Sequence, residues 1–134
     1  YYAAQRLPRG HLTCADTSVR WLRACRKTLR KCANVSFRQG DIEALALPKA
    51  SFDIIYCHLV LHDIPNDALE KVLPALAERL KPTGLLTFRE PLGETKKLEI
   101  IHRLIGHSGL AKQESRVTDI PVLGNTLEST YLKP

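Results

Sequence analysis

Two acidic residues, Asp16 and Asp41, each end a short run with the composition of a buried β-strand. Asp16 closes "HLTCAD" (11–16), and Asp41 closes a similar run that begins at Val35. An acid at the carboxyl end of such a strand is suited to bind the ribose hydroxyls of a nucleotide-like cofactor. Two hydroxyl residues follow Asp16, so the same acid can instead cap the next helix. The sequence therefore predicts either a cofactor contact or a helix cap at Asp16.

Strand and helix patterns alternate along the chain, which predicts an α/β domain with a parallel sheet. Asn66 is a predicted helix N-cap, and Pro74 is expected to kink that helix or divide it. The tail predicts two strands around a turn at Gly124–Asn125. The apolar spacing predicts helices over 18–32, 66–82 and 94–107, and strands over 11–16, 35–41, 52–57 and 84–90.

The composition is that of an ordinary globular protein, with 44% hydrophobic and 25% charged residues. We expect one domain spanning residues 1–134. No apolar run approaches the roughly 20 residues of a membrane span, so no membrane partner is predicted. The cysteine spacing predicts neither a metal site nor a disulfide, but buried thiols in a reducing, cytoplasmic compartment. The cysteines are Cys14, Cys25, Cys32 and Cys57.

The chain has a net charge of +6, and much of the excess lies in "RWLRACRKTLRK" (20–31). Apolar residues recur there at helical spacing, with basic residues on the other faces. A solvated helix face is the favoured interpretation, and RNA binding is the alternative. The stretch lacks the interleaved aromatic residues on which single-stranded nucleic acids stack.

Four stretches together resemble the class I S-adenosylmethionine-dependent methyltransferases, especially their small-molecule branch. They are "TCADTS" (13–18), "GDIEALALPKASFDIIYCHLVLHDI" (40–64), "LKPTGLL" (80–86) and the closing pair of strands. The resemblance implies a Rossmann-like fold, a mostly parallel sheet with an antiparallel C-terminal strand. It also implies an enzyme that uses S-adenosylmethionine and transfers the methyl group by direct displacement to a small-molecule substrate.

The resemblance assigns cofactor contacts to residues at the ends of the strands. Asp16 would bind the ribose hydroxyls, with Thr17 and Ser18 beside it at the start of the next helix. Asp41 would accept the adenine amino group, and the Ile42 amide would face a ring nitrogen. The methionine end of the cofactor would be lined by Cys57 and His58.

His62, within "LHDI" (61–64), is the predicted general base, by resemblance to small-molecule O-methyltransferases with a His-Asp pair at a similar place. An imidazole can take the proton from a substrate hydroxyl as the methyl group transfers. The alternative is that His62 only lines the pocket. Four further residues have two interpretations each. Trp21 either covers adenine or packs against the fold, and His102 is either a packing or a surface residue. Arg89 and Glu90 either orient a polar substrate or pair with each other.

The family's first strand and glycine-rich loop would stand directly before Tyr1, and this sequence lacks them. We therefore expect a longer native protein, a sheet without one central strand, and weak or absent cofactor binding by this chain. Another chain can complete such a sheet, so an oligomer is possible. Two alternative functions stay open: an RNA or protein methyltransferase, and a non-catalytic methyltransferase-like domain that serves as a binding scaffold.

Overall fold

Six strands form two separate sheets in the computed structural model, which describes residues 1–134. The chain has two compact units, Tyr1–Ala46 (the first unit) and Leu47–Pro134 (the second unit). The first unit contains α1 (Tyr2–Gln5), β1 (Leu12–Asp16), α2 (Val19–Thr28) and β2 (Val35–Gln39). The second contains β3 (Phe52–His58), a 3₁₀ turn (Leu61–Asp63), α3 (Asn66–Arg79), β4 (Leu80–Pro91), α4 (Thr95–His107), β5 (Ala111–Ile120) and β6 (Gly124–Leu132).

In the first unit, β1 and β2 are parallel and α2 is the crossover between them. Leu12 pairs with Val35 at one end of the ladder, and Asp16 pairs with Gln39 at the other. Leu22 and Leu29 are buried beneath α2 and its C-terminal cap, as the helical spacing predicts. The unit therefore places the carboxyl ends of its two strands side by side.

In the second unit, the strand order is β3-β4-β6-β5. β3 and β4 are parallel, whereas β6 is antiparallel to both β4 and β5. The predicted α/β fold with an antiparallel C-terminal strand is thereby confirmed. β1 pairs only with β2, and β3 pairs only with β4. The core lies under α3 and α4 and includes Leu69, Leu73, Leu86, Phe88, Ile101 and Ile105.

Several element boundaries differ from the predictions. Pro65, not Asn66, is the N-cap of α3, and the helix runs without a break through Pro74. The predicted division of this helix is therefore wrong. β4 begins four residues before the predicted strand, because Leu80 already pairs with Phe52. No helix is both long enough and apolar enough to cross a membrane.

The expectation of four buried thiols is wrong for three of them. Cys57 is buried in the second unit, but the other three cysteines are partly exposed. All three belong to the first unit, whose only buried hydrophobic residues are Ala4, Leu22 and Leu29. A unit of this size has too little interior to bury every apolar side chain.

His102 is a packing residue between α4 and the sheet. Its Nδ1 is hydrogen-bonded to the Tyr131 hydroxyl, and its ring lies 5.3 Å from that of Phe88 between centroids. Burial lowers the pKa of His102, and the nearby Lys112 adds to this effect. Burial also raises the pKa of Tyr131 to about 12. Protonation of this histidine therefore opposes folding.

We expect the free energy of unfolding to fall as the pH drops below about 6.5, the ordinary histidine value. The unfolded chain binds the proton first, so the contribution of His102 is complete above this pH and is lost toward the lower folded-state pKa. Urea unfolding between pH 5 and 7.5 measures the slope. The H102Q variant should give a shallower slope, whereas H107Q, at an exposed position of α4, should keep it. Equal slopes for all three proteins would contradict this assignment.

Candidate functional site

Asp16 and Asp41 lie at the same edge of the two-stranded sheet. The Gly40 amide donates to the Asp16 carbonyl oxygen at 3.2 Å, which ties the turn after β2 to the end of β1. Gly40 has a φ of +141°, a conformation that favours glycine, immediately before Asp41. The local backbone thus brings together the two acids that the sequence singled out.

The Asp16 carboxylate divides its two oxygens between different roles. Oδ1 accepts a hydrogen bond from the Ser18 amide at 2.8 Å, which fixes the turn into α2. Ser18 is the N-cap, since its side chain accepts from the Trp21 amide at 3.4 Å. Oδ2 of Asp16 accepts no hydrogen bond from the chain, and Thr17 is exposed. Asp16 thus supports the helix start while keeping one oxygen available.

The segment after Gly40 keeps its polar groups open. The Asp41 side chain is exposed and has no hydrogen-bond partner, while its carbonyl accepts from the Ala44 and Leu45 amides. The Ile42 amide donates to no backbone carbonyl. Trp21 is 61% exposed, so the interpretation as a packing residue is wrong. The first unit thus presents a free carboxylate, a free amide and an exposed indole ring, with the Arg20 guanidinium 5.8 Å from the centroid of that ring.

Glu90 is the buried polar centre of the second unit. Its side chain is 0% exposed, and it lies on the same face of β4 as Leu86 and Phe88. Oε1 accepts from the Val60 and Leu61 amides at 3.0 and 2.7 Å, and Oε2 accepts from the His62 amide at 3.4 Å. Oε2 also lies 2.5 Å from Nδ1 of the His62 ring. One carboxylate therefore fixes the segment after β3 and the histidine within it.

The contact with Glu90 determines how His62 can act. A carboxylate only accepts hydrogen bonds, so Nδ1 of His62 carries the proton in this pair. In the neutral ring Nε2 is then the nitrogen with a free lone pair. The His62 side chain is 22% exposed, and its Nε2 lies 3.4 Å from Oδ1 of the exposed Asp63. This arrangement suits a general base, with Asp63 placed to pair with the protonated ring.

Lys97 of α4 and Leu61 of the 3₁₀ turn also hold the segment that contains His62. The Lys97 ammonium donates to the Ile64 carbonyl oxygen and, at 2.7 Å, to Oδ1 of Asn66. The Leu61 side chain is fully buried. The His62 backbone therefore has little freedom to move, which is what a positioned base requires.

Cys57 and His58 lie on opposite faces of β3, because successive strand residues alternate. Cys57 faces the interior, where burial and then Glu90 raise the pKa of its thiol to about 12. His58 is on the open face, stacked on Tyr56 with ring centroids 5.8 Å apart. Burial and then Arg89 lower the pKa of His58. The two side chains are therefore not brought together, and the thiol stays protonated.

Arg89 and Glu90 likewise point to opposite faces, so their predicted pairing is wrong. Arg89 instead donates to Oε2 of Glu128 at 2.6 Å, and Arg116 donates to Oε1 of Glu128. The strand register aligns His58, Arg89, Glu128 and Arg116 in one row across the four strands. The two guanidinium groups satisfy the buried Glu128 carboxylate.

The family of the chain is shown by its sequence. The sequence profile described as "Methyltransferase domain" matches residues 1–84 of the 134 residues. The chain belongs to the methyltransferase domain family. Its enzymes transfer methyl groups from S-adenosylmethionine, so the predicted family, reaction and cofactor are confirmed. Among curated protein sequences, no relative matches this methyltransferase domain.

Solved structures share the fold of this methyltransferase domain at low sequence identity. One is the N-methyltransferase NodS from Bradyrhizobium japonicum WM9 in complex with S-adenosyl-L-homocysteine, with a TM-score of 0.80 and 16% sequence identity. The match covers 99% of this chain and 72% of the NodS chain. A SAM-dependent methyltransferase from Aquifex aeolicus has a TM-score of 0.76 and 16% identity, over 99% and 74%. The [4+2]-cyclase SpnF, with a TM-score of 0.75 and 14% identity over 99% and 69%, shares the fold too. The fold alone therefore does not identify the methyl acceptor.

The sequence did not reveal the role of Glu90, for which it offered only the orientation of a polar substrate or a pair with Arg89. The signal was present in the alternation of "LLTFREP", where Glu90 takes the same parity as the apolar Leu86 and Phe88. A carboxylate on the buried face of a strand requires hydrogen-bond donors. Those donors come from a loop almost thirty residues earlier, so their identity depends on the tertiary structure.

Replacing Glu90 by alanine should destabilise the protein by about 3 kcal/mol or more, because a buried histidine contact and three amides lose their acceptor. E94A, at an exposed acid just before α4, is the matched control and should change stability by less than about 0.5 kcal/mol. Urea unfolding measures both. Amide hydrogen exchange at residues 60–62 should accelerate in E90A. Equal stabilities and unchanged exchange would show that Glu90 does not hold this segment.

Proposed function

We propose that this methyltransferase domain methylates a small molecule and that His62 is its general base. The observation that carries the proposal is the hydrogen bond from Nδ1 of His62 to the fully buried Glu90. This contact leaves Nε2 as the basic nitrogen of a recessed side chain. A recessed base is reached more easily by a small acceptor than by a group embedded in a polymer.

The cofactor-binding residues follow from the groups that the first unit leaves open. Oδ2 of Asp16 is free to accept the ribose hydroxyls, and the Asp41 carboxylate is free to accept the adenine amino group. The Ile42 amide is a free donor for an adenine ring nitrogen, and the exposed Trp21 ring offers a flat surface for adenine. These donors and acceptors fit an adenosine group, and Thr17 and Ser18 shape the turn beside it.

When bound, S-adenosylmethionine supplies an electrophilic methyl group that an acceptor takes up by direct displacement. The contribution of the chain is to hold the acceptor and remove its proton. Nε2 of His62 accepts that proton, and Glu90 keeps the ring oriented through Nδ1. Asp63 can then pair with the imidazolium. We assign the methionine-end contacts at Cys57 and His58 to their backbone, since the Cys57 thiol is buried and protonated.

A small acceptor is also favoured by one of the similar structures. A candidate sarcosine dimethylglycine methyltransferase from Galdieria sulphuraria has a TM-score of 0.73 and 13% identity, over 92% of this chain and 69% of its own. Sarcosine and dimethylglycine, from which that protein takes its name, are small amines. The similarity supports the proposed class of acceptor but names no substrate for this chain.

The D16N variant should bind S-adenosyl-L-homocysteine at least about tenfold more weakly than the parent chain, because a charge-assisted hydrogen bond is lost. A ¹⁵N NMR titration extended into the millimolar range measures both affinities. The amides of Gly40 and Ile42 should shift on titration. D67N, an exposed acid in the second unit, is the control. Equal affinity of D16N and the parent, or shifts confined to other residues, would contradict the assignment of Asp16.

The small-molecule acceptor is tested by supplying S-adenosylmethionine with a panel of small hydroxyl and amine compounds, and by detecting methylated products by mass spectrometry. H62Q should lower the rate with hydroxyl acceptors by about 100-fold or more while leaving cofactor affinity unchanged. Methylation of RNA or peptides, with no product from any small acceptor, would contradict the proposal. An unchanged rate with H62Q would show that His62 is not the general base.

A further inference from the structure

The net positive charge of the protein arises from the first unit alone. Of the 20 Lys and Arg residues and 14 Asp and Glu residues in the chain, the first unit holds nine basic and three acidic ones. The second unit holds eleven of each and is neutral. The whole net charge of +6 therefore belongs to the first unit, which makes up about a third of the chain.

Most of this charge lies on α2 and the turn that follows it. No Asp or Glu occurs between Asp16 and Asp41, and no basic residue of the first unit forms a salt bridge in the structure. The six basic side chains of α2 and the turn after it are all exposed. We call this set the α2 basic surface: Arg20, Arg23, Arg26, Lys27, Arg30 and Lys31.

Contacts within the chain and with the cofactor account for only part of the α2 basic surface. The Arg26 guanidinium lies 4.6 Å from the centroid of the Phe37 ring and the Arg20 guanidinium 5.8 Å from that of Trp21, whereas the other four basic residues have no such contact. Like charges four residues apart, such as Arg23 and Lys27, destabilise a helix by about 0.2–0.5 kcal/mol each. S-adenosylmethionine is a positively charged sulfonium and carries no phosphate, so its binding does not require this surface. An anionic partner would offset the repulsion.

We propose that the α2 basic surface binds the phosphate backbone of nucleic acid. The ten residues of α2 extend for about 15 Å. A nucleic-acid strand in a duplex carries one phosphate per about 3.4 Å of axis, so four or five phosphates match this length. Four of the six basic residues are arginines, whose planar forks bind phosphate oxygens in pairs.

The burial pattern disfavours a lipid surface as the partner. A helix that lies in a membrane interface needs an exposed apolar face. In α2 Leu22 and Leu29 are buried against the unit's own interior and Cys25 is half-buried. The exposed apolar residues of α2, Val19 and Trp21, are two positions apart and lie on different sides of the helix, so they form no apolar face. The outward side of α2 is predominantly basic.

Fluorescence anisotropy without cofactor tests the proposal. It measures the affinity of the full 134-residue chain for a fluorescein-labelled 20-nucleotide single-stranded RNA and for single-stranded DNA of the same sequence. Four phosphate contacts predict a slope of log K against log salt of about −3, or about a 60-fold loss of affinity between 50 and 200 mM salt. Binding of the RNA or of the DNA with this slope supports a contact with the phosphate backbone. Absence of binding at 50 mM salt, or a slope near zero, overturns the proposal.

A pair of matched variants locates the surface. R23Q/K27Q/K31Q removes three charges from the α2 basic surface, and K71Q/K96Q/R103Q removes three exposed charges of the same types from the second unit. The first variant should bind at least about tenfold more weakly and lose about 2 units of salt slope, whereas the second should match the parent. Circular dichroism checks that both are folded.

Three outcomes of this experiment would overturn the proposal. Equal losses in the two variants would show an effect of net charge rather than of the α2 basic surface. Unchanged binding by the first variant would place the nucleic acid elsewhere. Binding to vesicles of phosphatidylserine and phosphatidylcholine, with none to RNA or DNA, would assign the surface to lipid. Because no cofactor or methyl acceptor is present, the result is independent of the proposed reaction.

Discussion

One buried carboxylate, Glu90, determines the local structure of the candidate catalytic segment. It accepts hydrogen bonds from three successive amides and from the His62 ring, and it has no access to solvent. A buried charge without such donors would cost several kcal/mol, so the strand β4 and the segment after β3 depend on each other. The same contact that satisfies Glu90 also selects the nitrogen of His62 that is available for chemistry. Stability and proton transfer thus share one hydrogen bond.

The rest of the second unit supports this contact. The alternation of β4 puts Leu86, Phe88 and Glu90 on one face, where α3 and α4 cover them. Lys97 of α4 holds the segment beyond His62 through Ile64 and Asn66. On the other face of the sheet, Arg89 and Arg116 enclose Glu128. Each of the two buried carboxylates therefore has donors from neighbouring elements, which fixes the register of the strands as well as the loop.

Periodicity and local turn chemistry predicted much of this fold. The three main helices, the acids at the carboxyl ends of β1 and β2, and the antiparallel closing pair all depend on neighbours within a few residues, which a sequence displays directly. The sequence could not show that Glu90 pairs with His62 and that Arg89 pairs with Glu128, because these partners are brought together by strand pairing across long separations. The exposure of three cysteines was missed for a related reason: apolar spacing on a helix or strand does not reveal how few residues cover that face.

The most direct test of the account is the protonation state of the His62 ring. A long-range ¹H–¹⁵N correlation spectrum at neutral or higher pH distinguishes the two neutral tautomers by the shifts of their nitrogens. The contact with Glu90 predicts a proton on Nδ1 and a free lone pair on Nε2, and E90Q should alter this preference. A proton on Nε2 in the parent chain, with Nδ1 unprotonated, would contradict the claim that Glu90 prepares His62 as the base.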